Sequence, residues 1–154
     1  MVTFLSSSQF KPSNDTLGRD LSLSRNTVPD YIGYLETSGL FNALREPGHS
    51  DNLLAKIEKL YLGNSNIAFS LSENGIIDDG NMRETNFLAW TSHVCKPTSS
   101  KISDFEIDGI TFEVGGKNKN GSQIKDAERE YLVKDNLEYA SGQSVHIWLF
   151  RFLY

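Results

Sequence analysis

Four carboxylates alternate with apolar residues along the stretch from Lys101 to Lys119, and they form the most chemically suggestive pattern in the chain: Asp104, Glu106, Asp108 and Glu113. An alternation of this kind has the period of two that a half-buried strand requires, so the acids share one face. Clustered carboxylates repel one another unless a cation lies among them. The residue types therefore fit a divalent metal site on a sheet, although a solvated strand face is the simpler alternative.

Two short strands must carry these acids. The dipeptide Asp108-Gly109 is typical of a two-residue hairpin turn, because glycine adopts the positive φ that such a turn needs. After the second strand, the run Gly115-Gly116-Lys117-Asn118-Lys119 places two cations beside the acidic face. We therefore predict a hairpin with carboxylates on one face and lysines at its end.

The neighbouring segments give the hairpin its surroundings. A helix is predicted from Asn81 to about His93, with Glu84 in its first turn. After the hairpin, the pattern predicts a charged helix over Gln123–Glu130, a strand at Tyr131–Val133 and a mostly apolar strand from His146 to Tyr154.

The N-terminal part shows a different pattern. A short helix begins near Asn14, and a second helix is predicted over Arg25–Ser38, closed by Gly39. Two strands then follow, at Phe41–Arg45 and Lys59–Leu62. The segment TLGRDLSLSRNTVPDYIGYLETSGL resembles the helix-turn-helix of winged-helix proteins, with Arg25 opening the recognition helix.

Composition limits the classes of function. The 154 residues carry a formal net charge of −5, so any nucleic-acid surface must be a local patch. The single cysteine, Cys95, excludes an internal disulfide and fits a reducing compartment. With no signal peptide and no apolar run of membrane-spanning length, we expect a soluble cytoplasmic protein without a membrane partner.

The order of these parts, with the hairpin SDFEIDGITFEVGGKNK, resembles the C-terminal domain of a family of prokaryotic AAA+-type ATPases, many described only as ATP-binding proteins. The resemblance implies an α+β fold: a winged helix-turn-helix in residues 1–62, then a restriction-endonuclease-like core in residues 63–154. That core is a domain of unknown function of the PD-(D/E)XK type, an α/β core with a mixed sheet.

In that family a P-loop ATPase module precedes the winged helix. The nearest candidate in this chain, Gly109 to Lys117, has the wrong glycine spacing, and Asn118 stands where Ser or Thr would bind magnesium. We therefore expect ATP to bind only through a module absent from this chain, and we expect that module, from the same full-length protein, to be a partner.

The resemblance also assigns site residues: catalytic Glu84, Asp104, Glu113 and Lys117, with Mg²⁺ or Mn²⁺ on Asp104 and Glu113. In the family pattern a lysine follows the glutamate by two residues, but Gly115 holds that position here. Lys117 is two residues further along, and its Cα is displaced by roughly 6–7 Å in an extended strand. We therefore expect a degenerate nuclease core with little or no activity.

The resulting hypothesis is a DNA- or protein-binding regulatory module of an ATPase; the alternative is a metal-dependent nuclease acting on DNA. Residues predicted to contact nucleic acid are Arg19, Arg25, Asn26, Thr27, Arg45, Lys117 and Lys119. Acidic residues balance the arginines of the winged helix, so protein docking remains open: Asp15, Asp20, Asp30 and Glu36.

Overall fold

The computed structural model of the chain describes residues 11, 13–48, 56–72, 77–122 and 129–153. Its elements, in chain order, are α1 (Asn14–Asp20), α2 (Val28–Thr37), β1 (Phe41–Arg45), β2 (Ile57–Leu62), α3 (Ser65–Leu71), α4 (Asp79–Thr91), β3 (Thr98–Ser99), β4 (Phe105–Ile107), β5 (Ile110–Gly115), β6 (Glu130–Lys134), β7 (Ser144–His146) and a 3₁₀ helix (Ile147–Phe152). The predicted α+β class is confirmed. None of the described helices has the length and apolarity to cross a membrane.

Helices α1 and α2 pack through a tight turn. A Cβ at Gly18 would lie 2.9 Å from the Leu23 carbonyl oxygen, so only glycine allows this close approach. Helix α2 begins at Val28 and not at the predicted Arg25. The difference arises because Ser24 holds a turn: its Oγ accepts from Asn26 N at 3.3 Å and its carbonyl from Thr27 N at 2.9 Å.

The end of α2 leads directly into a two-stranded antiparallel sheet of β1 and β2. Gly39 has a φ of +75°, and the amides of Gly39 and Leu40 each donate at 3.0 Å, to the carbonyls of Glu36 and Leu35 respectively. This is the predicted helix end closed by glycine. Phe41 then pairs with Leu62, and Gly63 N donates to Leu40 O at 2.7 Å.

A second sheet has the order β3-β4-β5-β6-β7. Strands β3 to β5 are antiparallel, whereas β5, β6 and β7 are parallel, so the predicted mixed sheet is confirmed. The hairpin turn between β4 and β5 is also as predicted, with Asp108 at φ +50° and Gly109 at φ +74°. Of the helix predicted over Gln123–Glu130, residues 123–128 lie outside the described ones and Glu130 begins β6.

The C-terminal strand prediction was wrong. Only Ser144–His146 forms a strand, and Ile147–Phe152 is a 3₁₀ helix. Ile147 is buried, and Phe150, three residues later, packs on Phe87 with ring centroids 4.8 Å apart. Because a 3₁₀ helix repeats every three residues, this spacing places both side chains on one face.

Two hydrophobic cores share strand β2. The larger core surrounds Phe87 of α4 and includes Tyr61, while the smaller lies under α1 and α2 and includes Leu60 and Leu62. Successive side chains of a strand point to opposite faces, so β2 packs into both cores at once. The division into residues 1–62 and 63–154 stays a prediction.

Candidate carboxylate site

Three of the predicted site residues are buried. Glu84 of α4 is 6% exposed, Asp104 before β4 is 8% exposed, and Glu113 of β5 is 1% exposed. These values argue against a solvated strand face for Asp104 and Glu113. Asp108, by contrast, is exposed in the hairpin turn, where its role is that of a turn residue.

Asp104 is tied to the strand that carries Glu113. Its Oδ2 accepts a hydrogen bond from Val114 N at 2.9 Å, and Val114 directly follows Glu113 in β5. The Oδ1 atom lies 3.7 Å from Nζ of Lys59. Asp104 is therefore held by a backbone donor on one side and approached by an ammonium on the other.

Strand β2 of the smaller sheet contributes two residues that sequence reasoning missed. The hydroxyl of Tyr61 donates to Glu84 Oε2 at 2.7 Å, and Lys59 Nζ lies 3.8 Å from the same oxygen. The available signal was the alternation Lys59-Leu60-Tyr61-Leu62, which places lysine and tyrosine on one face. Nothing in the sequence indicated that this face meets Glu84.

The environment of Tyr61 fixes its role. Burial raises the pKa of the Tyr61 phenol far above its ordinary value, and the negative charge of Glu84, the hydrogen bond to Glu84 and the charge of Asp104 raise it further. The hydroxyl therefore stays protonated and acts as a hydrogen-bond donor to Glu84.

Glu113 has an unusual contact for a buried carboxylate. Lys119 Nζ lies 3.2 Å from its Oε1, yet within the described part of the chain neither Glu113 oxygen accepts a hydrogen bond. The two facts agree if the ammonium is close enough for an ion pair but is not directed along a hydrogen bond. A buried charge requires such a partner, so Lys119 is the cation that stabilises Glu113.

Lys119, not Lys117, is the lysine beside Glu113. The amide of Lys119 donates to Gly116 O at 3.0 Å, which closes a turn and brings the chain back over β5. A Cβ at Gly115 would lie 2.7 Å from Cβ and Cγ of Lys119, so glycine at that position makes room for the lysine stem. Lys117 lies exposed at the corner of the turn. The catalytic role assigned to Lys117 stays a prediction.

The carboxylates fit a resident divalent cation poorly in this arrangement. Lys59 lies between Glu84 and Asp104, and Lys119 lies beside Glu113, so ammonium groups take the positions nearest the acids. Among the described residues, no three acidic, histidine or cysteine side chains come close enough together to hold a metal ion. The two predicted ligands, Asp104 and Glu113, are all that is left for Mg²⁺ or Mn²⁺. Such an ion commonly takes its other ligands from water and phosphate.

The residues predicted for nucleic acid in α1 and in the turn before α2 lie largely in solvent. Arg19, Arg25 and Asn26 are exposed and Thr27 is half-buried. The Arg25 side chain is 71% exposed, and its guanidinium is 3.7 Å from the carboxylate of Asp15. An exposed pair at this distance is weak, so Arg25 is available to another anion.

The phosphate contact predicted for Arg45 is incompatible with this structure. Arg45 is 2% exposed, and its two terminal nitrogens donate to Glu36 Oε1 and Oε2 at 2.9 and 2.8 Å. The pair joins α2 to β1. Glu36 had been interpreted as an acid that offsets the arginines in general, whereas it is the half-buried partner of one buried arginine.

Comparison with known proteins gives one partial relation. The chain is similar to chaperone protein ClpB of Rhodopirellula baltica, with 30% identity over 109 residues. The match covers 71% of this chain but only 12% of that protein. No protein-family model and no solved structure matches the chain.

Proposed function

We propose that this chain is a non-catalytic, nucleic-acid-binding regulatory module of an AAA+-type ATPase. The module consists of a winged helix and a nuclease-like core. The observation that carries the proposal is the position of Lys59, whose ammonium lies 3.8 Å from Glu84 and 3.7 Å from Asp104. An ammonium group fixed at that point occupies the position that a metal ion would need for catalysis.

The order of elements supports the winged-helix part. Helices α1 and α2 are followed by the antiparallel pair β1 and β2, and Arg25 and Asn26 lie in the turn that opens α2. Contacts of a helix-turn-helix with base edges come from the start of its second helix. Exposed Arg19, at the end of α1, is placed to contact phosphate.

The link to an ATPase rests on the similarity to ClpB, a chaperone of the AAA+ type. Because the match covers a small part of that protein, it supports a module that belongs with such an ATPase and not a complete enzyme. The ATPase module of the full-length protein is the proposed partner, and DNA is the proposed ligand.

DNA binding by the helix-turn-helix is tested by fluorescence anisotropy of a labelled duplex at low salt. We expect weak binding that falls steeply with salt, because few cations contact phosphate. Arg25→Ala should weaken it by about 5-fold to 150-fold, the 1–3 kcal/mol typical of a good arginine contact to a base. Arg151→Ala removes an equal charge from the C-terminal 3₁₀ helix and serves as the control. Equal affinities of wild type and Arg25→Ala would favour protein docking instead.

A second candidate function is metal-dependent cleavage of nucleic acid, and the position of Lys119 favours it. The displacement that argued against catalysis was that of Lys117, whereas Lys119 folds back to within 3.2 Å of Glu113. A lysine at that point would suit the stabilisation of charge on a reacting phosphate. Lys59 remains the feature against it.

A cleavage assay with Mg²⁺ or Mn²⁺ on single-stranded and duplex DNA separates the two functions. We expect no metal-dependent cleavage by the wild type, since Lys59 and Lys119 already neutralise the carboxylates. The informative variants are Lys119→Ala, Lys117→Ala as its matched control, and Glu113→Gln. Cleavage that is lost in Lys119→Ala and Glu113→Gln but kept in Lys117→Ala would replace the proposed function with a nuclease.

A further inference from the structure

A cleft of about 500 Å³ separates the β1–β2 sheet from the edge of the larger sheet. Seven polar residues from both sides form its wall: Lys11, Glu46, Glu58, Lys59, Ser99, Ser100 and Lys101. We call it the lysine cleft. Its volume lies within the range of small-molecule sites and is large enough for a nucleotide unit.

The lysine cleft is locally positive although the chain is acidic. Lys11 and Lys56 both pair with Glu58, at 2.8 and 2.7 Å, so two cations meet one anion. The neighbouring ammonium groups of Lys11 and Lys56 lower the pKa of Glu58, which keeps this carboxylate ionised. Lys101 is exposed and forms no ion pair with any other residue in the described ranges.

The two remaining charges do not cancel this excess. Glu46 also lines the lysine cleft and is exposed. Lys59 closes the cleft on the side of the carboxylate site, where it is shared with Glu84 and Asp104. Among the residues that line the cleft, Lys11, Lys59 and Lys101 against Glu46 and Glu58 leave an excess of one positive charge.

Serine hydroxyls complete the wall. The Oγ of Ser100 accepts from Ile102 N and Ser103 N, both at 3.3 Å. With its acceptor capacity directed to these amides, the hydroxyl can donate its own proton to an anion. Ser99, in β3, is half-buried beside it. Ammonium groups with a serine donor are a common recognition set for phosphate.

We infer that the lysine cleft binds a phosphate of a single nucleic-acid strand. This inference rests on the proposed nucleic-acid-binding function and extends it to a second surface. The cleft lies between the β1–β2 sheet and β3, and Lys59 in its wall reaches the buried acids, so a strand held there would pass close to the carboxylate site. Lys11 and Lys101 are the two exposed cations that would contact its phosphates.

The test is a salt titration of binding to a fluorescein-labelled single-stranded oligonucleotide. Removing two phosphate contacts in Lys11→Ala/Lys101→Ala should reduce the slope of log K against log salt by about 1.4, since each contact on a single strand contributes about 0.7. Both side chains are exposed, so the fold should be retained, and circular dichroism checks this. The control Lys134→Ala/Arg151→Ala removes the same charge elsewhere and should leave the slope unchanged.

The arms of the experiment separate the possible outcomes. An unchanged slope in the cleft variant, with weaker duplex binding by Arg25→Ala, would overturn the lysine cleft and leave the proposed function standing. If neither the cleft variant nor Arg25→Ala changed binding, both the lysine cleft and the proposed function would be contradicted. Calorimetry with inorganic phosphate tests the other source of the ligand group: phosphate binding that depends on the two lysines, without any effect on the oligonucleotide, would overturn the assignment to a nucleic-acid strand.

Discussion

Replacing Gly63 by alanine is expected to prevent the chain from folding stably. A Cβ at this position would lie 1.8 Å from the carbonyl oxygen of Gly39 and 2.8 Å from its carbonyl carbon. Both atoms belong to the backbone, so no side-chain movement relieves the overlap. The 2.7 Å hydrogen bond from Gly63 N to Leu40 O would have to open. We expect a loss of more than about 4 kcal/mol in the free energy of unfolding, an exceptional value for one substitution.

Urea denaturation followed by circular dichroism measures this loss. Gly33→Ala provides the matched control, because a Cβ there meets nothing within 4 Å and the residue lies inside α2. That variant should be more stable than the wild type by about 0.5–1 kcal/mol, the usual difference between alanine and glycine in a helix. A Gly63→Ala protein as stable as the wild type would contradict the close packing of β2 against the end of α2.

Glu36→Ala is expected to cost about 3–5 kcal/mol of stability, the range measured when one member of a buried ion pair is removed. The substitution takes both carboxylate oxygens from a guanidinium whose side chain is 1% exposed. Arg45 also donates to Ala43 O at 3.3 Å, but a neutral carbonyl does not supply the negative charge that Glu36 provides. The variant should therefore unfold at much lower urea concentration than the wild type.

The double variant Glu36→Leu/Arg45→Met distinguishes a lost pair from lost packing. Replacing both partners by apolar residues removes the charge that requires compensation, and such exchanges are often neutral. We expect most of the stability lost in Glu36→Ala to return. A double variant less stable than Glu36→Ala would mean that packing at this position, and not the loss of the ion pair, determines the loss of stability.

Local patterns in the sequence were sufficient to predict the hairpin. The Asp108-Gly109 turn and the alternation on either side of it are properties of a few neighbouring residues, and they fix the register of β4 and β5. The end of α2 was predictable for the same reason, through Gly39. The shared face of Asp104 and Glu113 was predictable in the same way, but their burial was not, because the alternation fits a solvated face equally well.

The partners of the acids depend on contacts that sequence distance conceals. Lys59 and Tyr61 precede Glu84 by more than twenty positions and lie in β2 of the smaller sheet. Their contact with Glu84 therefore forms only in the tertiary structure. Lys119 depends on a turn: counting residues along an extended strand favoured Lys117, but the chain reverses at Gly116. At the C-terminus, a run of apolar residues has no clear period, and only packing on Phe87 decides between strand and 3₁₀ helix.

The double-sided packing of β2 has a consequence for allosteric coupling. A ligand of α1 and α2 that shifted β2 would move Leu60 and Leu62 in the smaller core and, on the same strand, Lys59 and Tyr61 beside Glu84. Such a shift would change the affinity of the carboxylate site for a cation. By thermodynamic linkage, a cation bound there would change the affinity of α1 and α2 for that ligand by the same factor.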